Sequence, residues 1–269
     1  LCNENKNKEF TKKYKIFVNF KPNENIPYGG GNISVFYIIR QFNDKYNDFE
    51  VTYELEDNID IYLMIDPFKD NKFKKYSLDD VMKHKTNGKI IIRVNDCDKT
   101  RIVTNKDRSR EHQIIKNYNE IDYFIFNSHF IQNYYFDRFS ENEIDYSKIK
   151  CKVITNGCEQ NIFKNQDKVI LNKVKIVTHH WSNNINKGYE TYLKLHQYCE
   201  NREDIEFGFI GKNVPTMFKD VPIIGPYVKE ELSDKLNEFH IYITDSKYDS
   251  CPNHVLEGLS CGLPILYSN

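Results

Sequence analysis

The chain has 269 residues and a net charge of −1, and 39% of its residues are hydrophobic. That length suffices for two domains of ordinary size or for one large domain. No basic stripe stands out, and the lysine-rich run at 69–75 is balanced by nearby acids, so the composition excludes a typical nucleic-acid-binding protein. No apolar stretch reaches the roughly 18 residues of a membrane span, and we expect at most peripheral membrane contact.

The seven cysteines are an odd number and include no CxxC pair or other metal-ligand spacing. This usage favours a reducing compartment, and we therefore expect a cytoplasmic protein with no bound metal.

The first half of the chain alternates apolar runs with segments of helical spacing. A glycine loop, Gly29-Gly30-Gly31, follows the first apolar run. The runs predict strands at 14–20, 51–55, 59–65, 89–94, 123–127 and 152–155, and helices at 32–46, 109–118 and 130–139.

A polar stretch at 159–172 is the candidate linker, and the same alternation restarts after it. It predicts strands at 174–178, 205–210, 221–224, 240–244 and 264–267, and helices at 189–200, 229–239 and 253–260. Strands alternating with helices imply parallel sheets. We predict an α/β fold with two Rossmann-like doubly wound domains, at 1–158 and 173–269, facing a cleft that holds the ligand.

The segment 244–267 carries the clearest chemical signal. Asp249 follows a strand, and Glu257 lies just over one turn into the next helix, which starts near Asn253. Free backbone N–H groups and the helix dipole favour an anion at that start. The two carboxylates can accept hydrogen bonds from hydroxyl groups, so a ligand with sugar, diphosphate and ribose fits the segment. A capped helix with two surface acids is the alternative.

This segment resembles the acidic motif of retaining GT-B glycosyltransferases of family 4, also called glycosyl transferases group 1. The run Leu-Glu-Gly-Leu-Ser-Cys-Gly-Leu-Pro at 256–264 follows that motif closely. The first acid is Asp249 rather than Glu, and Ser-Cys-Pro at 250–252 replaces the usual Gly-Phe-Gly. The resemblance implies that Glu257 contacts the ribose and that Asp249 lies near the donor hexose.

The loop after the strand at 174–178 offers a phosphate ligand. Lys187 opens a helix and matches the lysine of the family's basic pair, which faces the donor diphosphate, whereas Ser182 stands where the family has an arginine. His179 and His180 end the preceding strand. They are candidate catalytic bases, but we favour a structural role for both.

Other candidates lie at the ends of predicted strands. The resemblance places Gly30 and Gly31 against the donor, and it places Gly211 and Tyr227 where the family holds the nucleotide base. A turn for the glycines and ordinary packing for Tyr227 are the alternatives. Asp96 is a candidate for acceptor contact, with an Asx-type turn as the alternative.

The resemblance implies transfer of a hexosyl group from a nucleoside diphosphate sugar to an acceptor hydroxyl with retention of configuration, in carbohydrate biosynthesis. Residues 1–158 would face the acceptor, which is a glycan, a lipid or a small molecule, and residues 173–269 would hold the donor. We expect no cofactor beyond the nucleotide-sugar co-substrate. The alternatives are a nucleotide-sugar epimerase, a phosphorylase of the same fold, or a catalytically inactive sugar- or nucleotide-binding protein. Relatives continue beyond the last predicted strand, so we expect this chain to be C-terminally truncated.

Overall fold

A computed structural model describes residues 13–22, 30–46, 48–68, 75–101, 103, 109–167 and 173–268. Within them the chain forms two parallel sheets with helices packed against them, which confirms the predicted α/β class. No helix among these residues combines the length and the apolar character that a bilayer span requires.

The first sheet has six strands in the order β2-β1-β3-β4-β5-β6. The strands are β1 (Tyr14–Val18), β2 (Phe49–Thr52), β3 (Ile61–Met64), β4 (Lys89–Val94), β5 (Tyr123–Phe126) and β6 (Cys151–Val153). The helices of this half are α1 (Gly30–Lys45), α2 (Leu78–His84), α3 (Asp98–Arg101), α4 (Arg110–Lys116) and α5 (His129–Glu141).

Side chains on both faces of this sheet are buried, as a parallel sheet requires. Successive residues of β1 alternate between the faces. Ile16 and Val18 pack with Val35 of α1 on one face, whereas Phe17 packs with Tyr62 and other residues of a larger cluster on the opposite face. The continuous apolar runs of the sequence are therefore strands covered on two sides.

Two helices of the first half were not predicted. Helix α2 begins with a reciprocal capping box, in which Ser77 Oγ accepts from the backbone N–H of Asp80 and the Asp80 carboxylate accepts from the backbone N–H of Ser77. Helix α3 is a single turn of four residues.

The start of α1 also differs from the prediction, because the helix begins at Gly30 rather than at residue 32. Gly30 and Gly31 therefore belong to the first helical turn instead of a preceding loop, and Gly29 lies outside the described residues.

The second sheet has five strands in the order β11-β10-β7-β8-β9. The strands are β7 (Val174–His180), β8 (Ile205–Gly211), β9 (Ile223–Ile224), β10 (Ile241–Thr244) and β11 (Ile265–Tyr267). The helices are α6 (Tyr189–Cys199), α7 (Lys229–Asn237) and α8 (Asn253–Ser260). Apolar clusters again cover both faces, one around Tyr242 and Leu236 and the other around Tyr192 and Phe209.

Part of the predicted linker packs against the second sheet. Phe163 is 6% exposed and belongs to the cluster around Tyr242. The backbone N–H of Gln166 donates to Asn237 Oδ1 at 3.1 Å, which fastens the segment to the end of α7. Because the segment 159–172 is mostly polar, its sequence does not predict that the ring of Phe163 is buried. The domain boundaries themselves stay a prediction.

Candidate functional site

The carboxyl ends of the two sheets meet through side-chain hydrogen bonds. Ser250, in the loop before α8, donates from its hydroxyl to the carbonyl of Asn95 at 2.6 Å. The same hydroxyl accepts from Nδ2 of Asn127 at 2.8 Å. Asn95 and Asn127 follow β4 and β5 directly, so the loop before α8 lies against the ends of the first sheet's central strands. These loops lie at the carboxyl ends of parallel strands, where we predict the ligand-binding cleft.

Asn156 is the central contact between the two sheets. Its Nδ2 donates to the carbonyl of Cys251 at 2.8 Å and to Oδ1 of Asn253 at 2.7 Å, which uses both amide hydrogens. Its Oδ1 accepts from Nη2 of Arg93 at 2.5 Å. Asn156 thereby joins the end of the first sheet to the start of α8.

Arg93 is buried, with 4% of the residue exposed, and its Nη1 donates to the carbonyl of Ile154 at 3.2 Å. Burial lowers the pKa of Arg93 from its ordinary value. Its Nε is buried and has no hydrogen-bond partner among the described residues. A buried cation that loses a hydrogen-bond partner destabilises the folded protein. Removing the side chain of Asn156 should therefore lower its stability.

Lys187 and Asp249 form an ion pair between the loops that follow β7 and β10 of the second sheet. Lys187 ends a 3-10 turn, and Gly188 after it has a left-handed φ of 88°. A Cβ added to Gly188 would lie 2.7 Å from the Cβ of Asp245. Only glycine therefore permits the backbone after Lys187 to pack so closely against Asp245. Nζ of Lys187 lies 2.5 Å from Oδ2 of Asp249. Both side chains keep partial exposure, at 24% and 17%, and can reach a ligand.

Glu257, one turn into α8, is held by a histidine. Its Oε2 lies 2.7 Å from Nε2 of His179, which is the penultimate residue of β7. On the other side of the ring, Nδ1 of His179 lies 3.1 Å from the hydroxyl of Tyr242. The imidazole is fully buried, whereas the carboxylate stands at the rim of the core. This chain of contacts fixes the carboxylate predicted to bind ribose.

His180 and His254 pack together beside that pair, with ring centroids 4.6 Å apart. Nε2 of His180 lies 3.1 Å from the hydroxyl of Tyr192, and Nε2 of His254 lies 3.2 Å from Oγ1 of Thr244. Burial, reinforced by the neighbouring positive charge of Lys187, holds the pKa of each histidine well below its ordinary value. Both rings are therefore neutral and structural. No group of three His, Cys, Asp or Glu side chains arranged to hold a metal occurs in the described part of the chain.

The remaining candidates have other contacts. Asp96 follows β4 and forms an ion pair with Arg101 of α3. Gly211 ends β8, where a Cβ would lie 2.3 Å from the carbonyl oxygen of His180, so close packing against β7 requires a glycine there. Tyr227 is partly buried against the cluster around Tyr242. The donor-binding roles of Gly30, Gly31, Gly211 and Tyr227 stay predictions.

The role of Asn156 was not predicted from the sequence. The hydrogen bond between His179 and Glu257 was not predicted either. Asn156 follows a predicted strand, and an asparagine before glycine indicates an ordinary turn. The contact between His179 and Glu257 joins residues 78 positions apart, which no local spacing encodes. The position of His179 at the carboxyl end of a central strand was the only available signal.

The chain matches no protein-family model and no curated protein. Its fold is similar to that of solved glycosyltransferases. A sucrose-phosphate synthase from Thermosynechococcus elongatus superposes with a TM-score of 0.65 at 11% identity, over 95% of this chain and 81% of that one. TarM superposes with a TM-score of 0.54 at 15% identity, over 88% of this chain and 44% of that one.

The pneumococcal O-GlcNAc transferase GtfA, solved with UDP and GlcNAc, gives a TM-score of 0.52 at 12% identity, and the match covers 78% of this chain and 42% of GtfA. At such identities the likeness concerns the fold alone. The predicted α/β architecture, shared with GT-B glycosyltransferases, is thereby confirmed. Membership of family 4 stays a prediction.

Proposed function

We propose that the chain is a retaining glycosyltransferase, which moves a hexosyl group from a nucleoside diphosphate sugar to an acceptor hydroxyl. The observation that carries the proposal is the pairing of Lys187 with Asp249 at 2.5 Å, in the loops that lead into α8 with its Glu257. The cation and the helix start suit the diphosphate of such a donor. The two carboxylates suit the hydroxyl groups of its ribose and its hexose.

In the reaction, the bond between the anomeric carbon and the diphosphate oxygen breaks, and its electron pair goes to the diphosphate. The acceptor oxygen forms the new bond to that carbon, and its proton passes to the departing diphosphate. Lys187 and the positive end of the α8 helix dipole stabilise the negative charge that develops. This electrostatic stabilisation is the main contribution we assign to the protein.

The other side chains position the two substrates. Glu257 accepts hydrogen bonds from the ribose, and Asp249 orients the hexose hydroxyls. Asp96, at the end of β4, contacts the acceptor from the first sheet. The contacts of Asn156 and Ser250 across the cleft hold the two sheets together, which excludes water that would otherwise hydrolyse the donor.

The solved structures with a similar fold suggest the first donors to test, because GtfA was crystallised with UDP and GlcNAc. The test incubates the protein with UDP-glucose, UDP-N-acetylglucosamine or GDP-mannose and a panel of glycan, lipid and small-molecule acceptors. We expect release of nucleoside diphosphate that depends on one acceptor, and a product with the anomeric configuration of the donor by NMR.

Lys187→Ala is expected to abolish this release. The matched control is Lys194→Ala, which removes another lysine paired with an acid, Glu190, but on the exposed face of α6. An epimerised nucleotide sugar, a strict requirement for inorganic phosphate, or binding without turnover would each overturn the proposal in favour of a named alternative.

A further inference from the structure

The contact between His179 and Glu257 has a defined direction. The backbone N–H of His179 donates to the hydroxyl oxygen of Tyr242 at 3.1 Å. The hydroxyl of Tyr242 also lies 3.1 Å from Nδ1 of the same histidine, and it has a second side-chain hydrogen-bond partner in Thr178. Burial raises the pKa of Tyr242 well above its ordinary value, so this phenol keeps its proton.

Because a carboxylate only accepts hydrogen bonds, Nε2 of His179 carries the hydrogen of its contact with Glu257. That hydrogen points at Oε2 of Glu257, 2.7 Å away. Nε2 of His179 is therefore the donor and Oε2 of Glu257 the acceptor, and Tyr242 lies against the other ring nitrogen. The contact occupies Oε2 and leaves Oε1 to accept from a ligand hydroxyl.

We infer that His179 is a positioning residue for the nucleotide, which holds the Glu257 carboxylate in the orientation that accepts hydrogen bonds from the ribose. The inference rests on the proposed function, because it takes a nucleoside diphosphate as the ligand. A glutamate side chain is rich in rotamers, and fixing it before the ligand arrives removes an entropic cost from binding.

The burial of the two partners supports this role over simple packing. The side chain of His179 is 1% exposed and cannot reach a ligand itself, whereas Glu257 is 10% exposed at the rim of the cleft. A histidine that served only to fill the core would need no carboxylate partner at the cleft. The carboxylate is therefore the most exposed member of the series Tyr242, His179 and Glu257.

The test measures the affinities of UDP, GDP and ADP, and of their 2′,3′-dideoxy counterparts, by calorimetric titration. For the nucleotide that binds, His179→Asn should weaken the ribonucleotide about tenfold and leave the dideoxynucleotide unchanged. His179→Gln, whose amide can still donate to Glu257, should restore most of the loss. In a Glu257→Ala background, His179→Asn should have no further effect.

Tyr242→Phe provides a second, milder route, because it removes the hydroxyl that contacts Nδ1 of His179 and leaves the ring in place. We expect it to lower the ratio of ribonucleotide to dideoxynucleotide affinity several-fold. His180→Asn is the control, since this neighbouring buried histidine contacts Tyr192 and Thr178 instead of Glu257. It should leave the ratio unchanged.

Two results would overturn the inference, and they are distinguishable. If Glu257→Ala abolishes the ribose preference while His179→Asn and Tyr242→Phe preserve it, the histidine has no positioning role and the proposed function stands. If no nucleotide binds to the wild-type protein, both fail. Should His179→Asn not fold, the ratio measured for Tyr242→Phe decides.

Discussion

Nζ of Lys187 lies 2.5 Å from Oδ2 of Asp249, so the cation assigned to the donor diphosphate is already neutralised by the carboxylate assigned to the donor hexose. A diphosphate that reaches this lysine must share it with Asp249 or displace the carboxylate. Binding of the donor diphosphate to Lys187 should therefore weaken the ion pair and release Asp249 from the lysine.

Asp249→Asn should separate binding from turnover. Without the competing carboxylate, Lys187 is free for the diphosphate, and we expect several-fold tighter binding of the nucleoside diphosphate. Transfer should fall at least tenfold, because the amide orients the hexose poorly. Calorimetry and a turnover assay on the same protein measure the two effects. Weaker binding by Asp249→Asn would contradict this description of the pair.

Asn156→Ala should destabilise the protein. The substitution removes hydrogen bonds to Cys251, Asn253 and Arg93, and it leaves the buried Arg93 guanidinium with the carbonyl of Ile154 alone. We expect a loss of about 1–3 kcal/mol in the free energy of unfolding, measured by urea titration. A loss below about 0.5 kcal/mol would show that this contact between the sheets contributes little.

The control for that experiment is Asn142→Ala at the end of α5. This asparagine also donates a side-chain hydrogen bond, to the carbonyl of Arg138, but at an exposed position. Its removal should change the free energy of unfolding by about 0.5 kcal/mol or less.

Gly211→Ala tests whether this glycine is required by packing. The added Cβ would lie 2.3 Å from the carbonyl oxygen of His180, a backbone atom of the adjacent strand. We expect a loss of about 1–3 kcal/mol in stability. Gly157→Ala is the matched control, because no heavy atom lies within 4 Å of its added Cβ. Equal melting temperatures for the two variants would contradict the steric argument.

The buried histidines predict acid sensitivity. Burial lowers the pKa of His180 and His254 well below 6.5, the value expected in the unfolded chain. Below that pH the two histidines bind protons in the unfolded chain but not in the folded one. Stability therefore falls as the pH decreases from 6.5 toward the pKa of each histidine in the folded protein. Above pH 6.5 both states are neutral at these sites, and they contribute no pH dependence.

His254→Gln should remove one of these protons while it retains a partner for Thr244. Between pH 6.5 and 5.5 the stability of the wild type should fall more than that of the variant, by about 1 kcal/mol over this unit. Thermal melts across this range measure the difference. Parallel curves would mean that His254 takes up its proton at the same pH in the folded and the unfolded protein.

The sheets were predictable from sequence because each strand is a continuous apolar run with turn residues after it. The bounds of β4 and α8 agree with the prediction. The prediction for β9 was too long, because pairing with β8 starts only at Ile223, and Val221 is buried outside the ladder. Helix α2 was missed, although Ser77 and Asp80 have the spacing of a capping box.

Candidate site residues could be proposed from sequence only where a motif lies within one short segment, as for Asp249 and Glu257, and their roles stay predictions. Contacts that join distant segments could not be proposed in this way. The bonds from Asn156 to Asn253 and from His179 to Glu257 depend on how the two sheets fold and meet, and side-chain spacing along the chain does not encode that.

The central claim is that this cleft binds a nucleoside diphosphate through Lys187 and Glu257. Calorimetric titration of the wild type, Lys187→Ala and Glu257→Ala with UDP, GDP and ADP tests it most directly. We predict that one nucleotide binds and that each substitution weakens it at least tenfold, which is about 1.4 kcal/mol. Binding that both substitutions leave unchanged, or no binding by any of the three nucleotides, would contradict it.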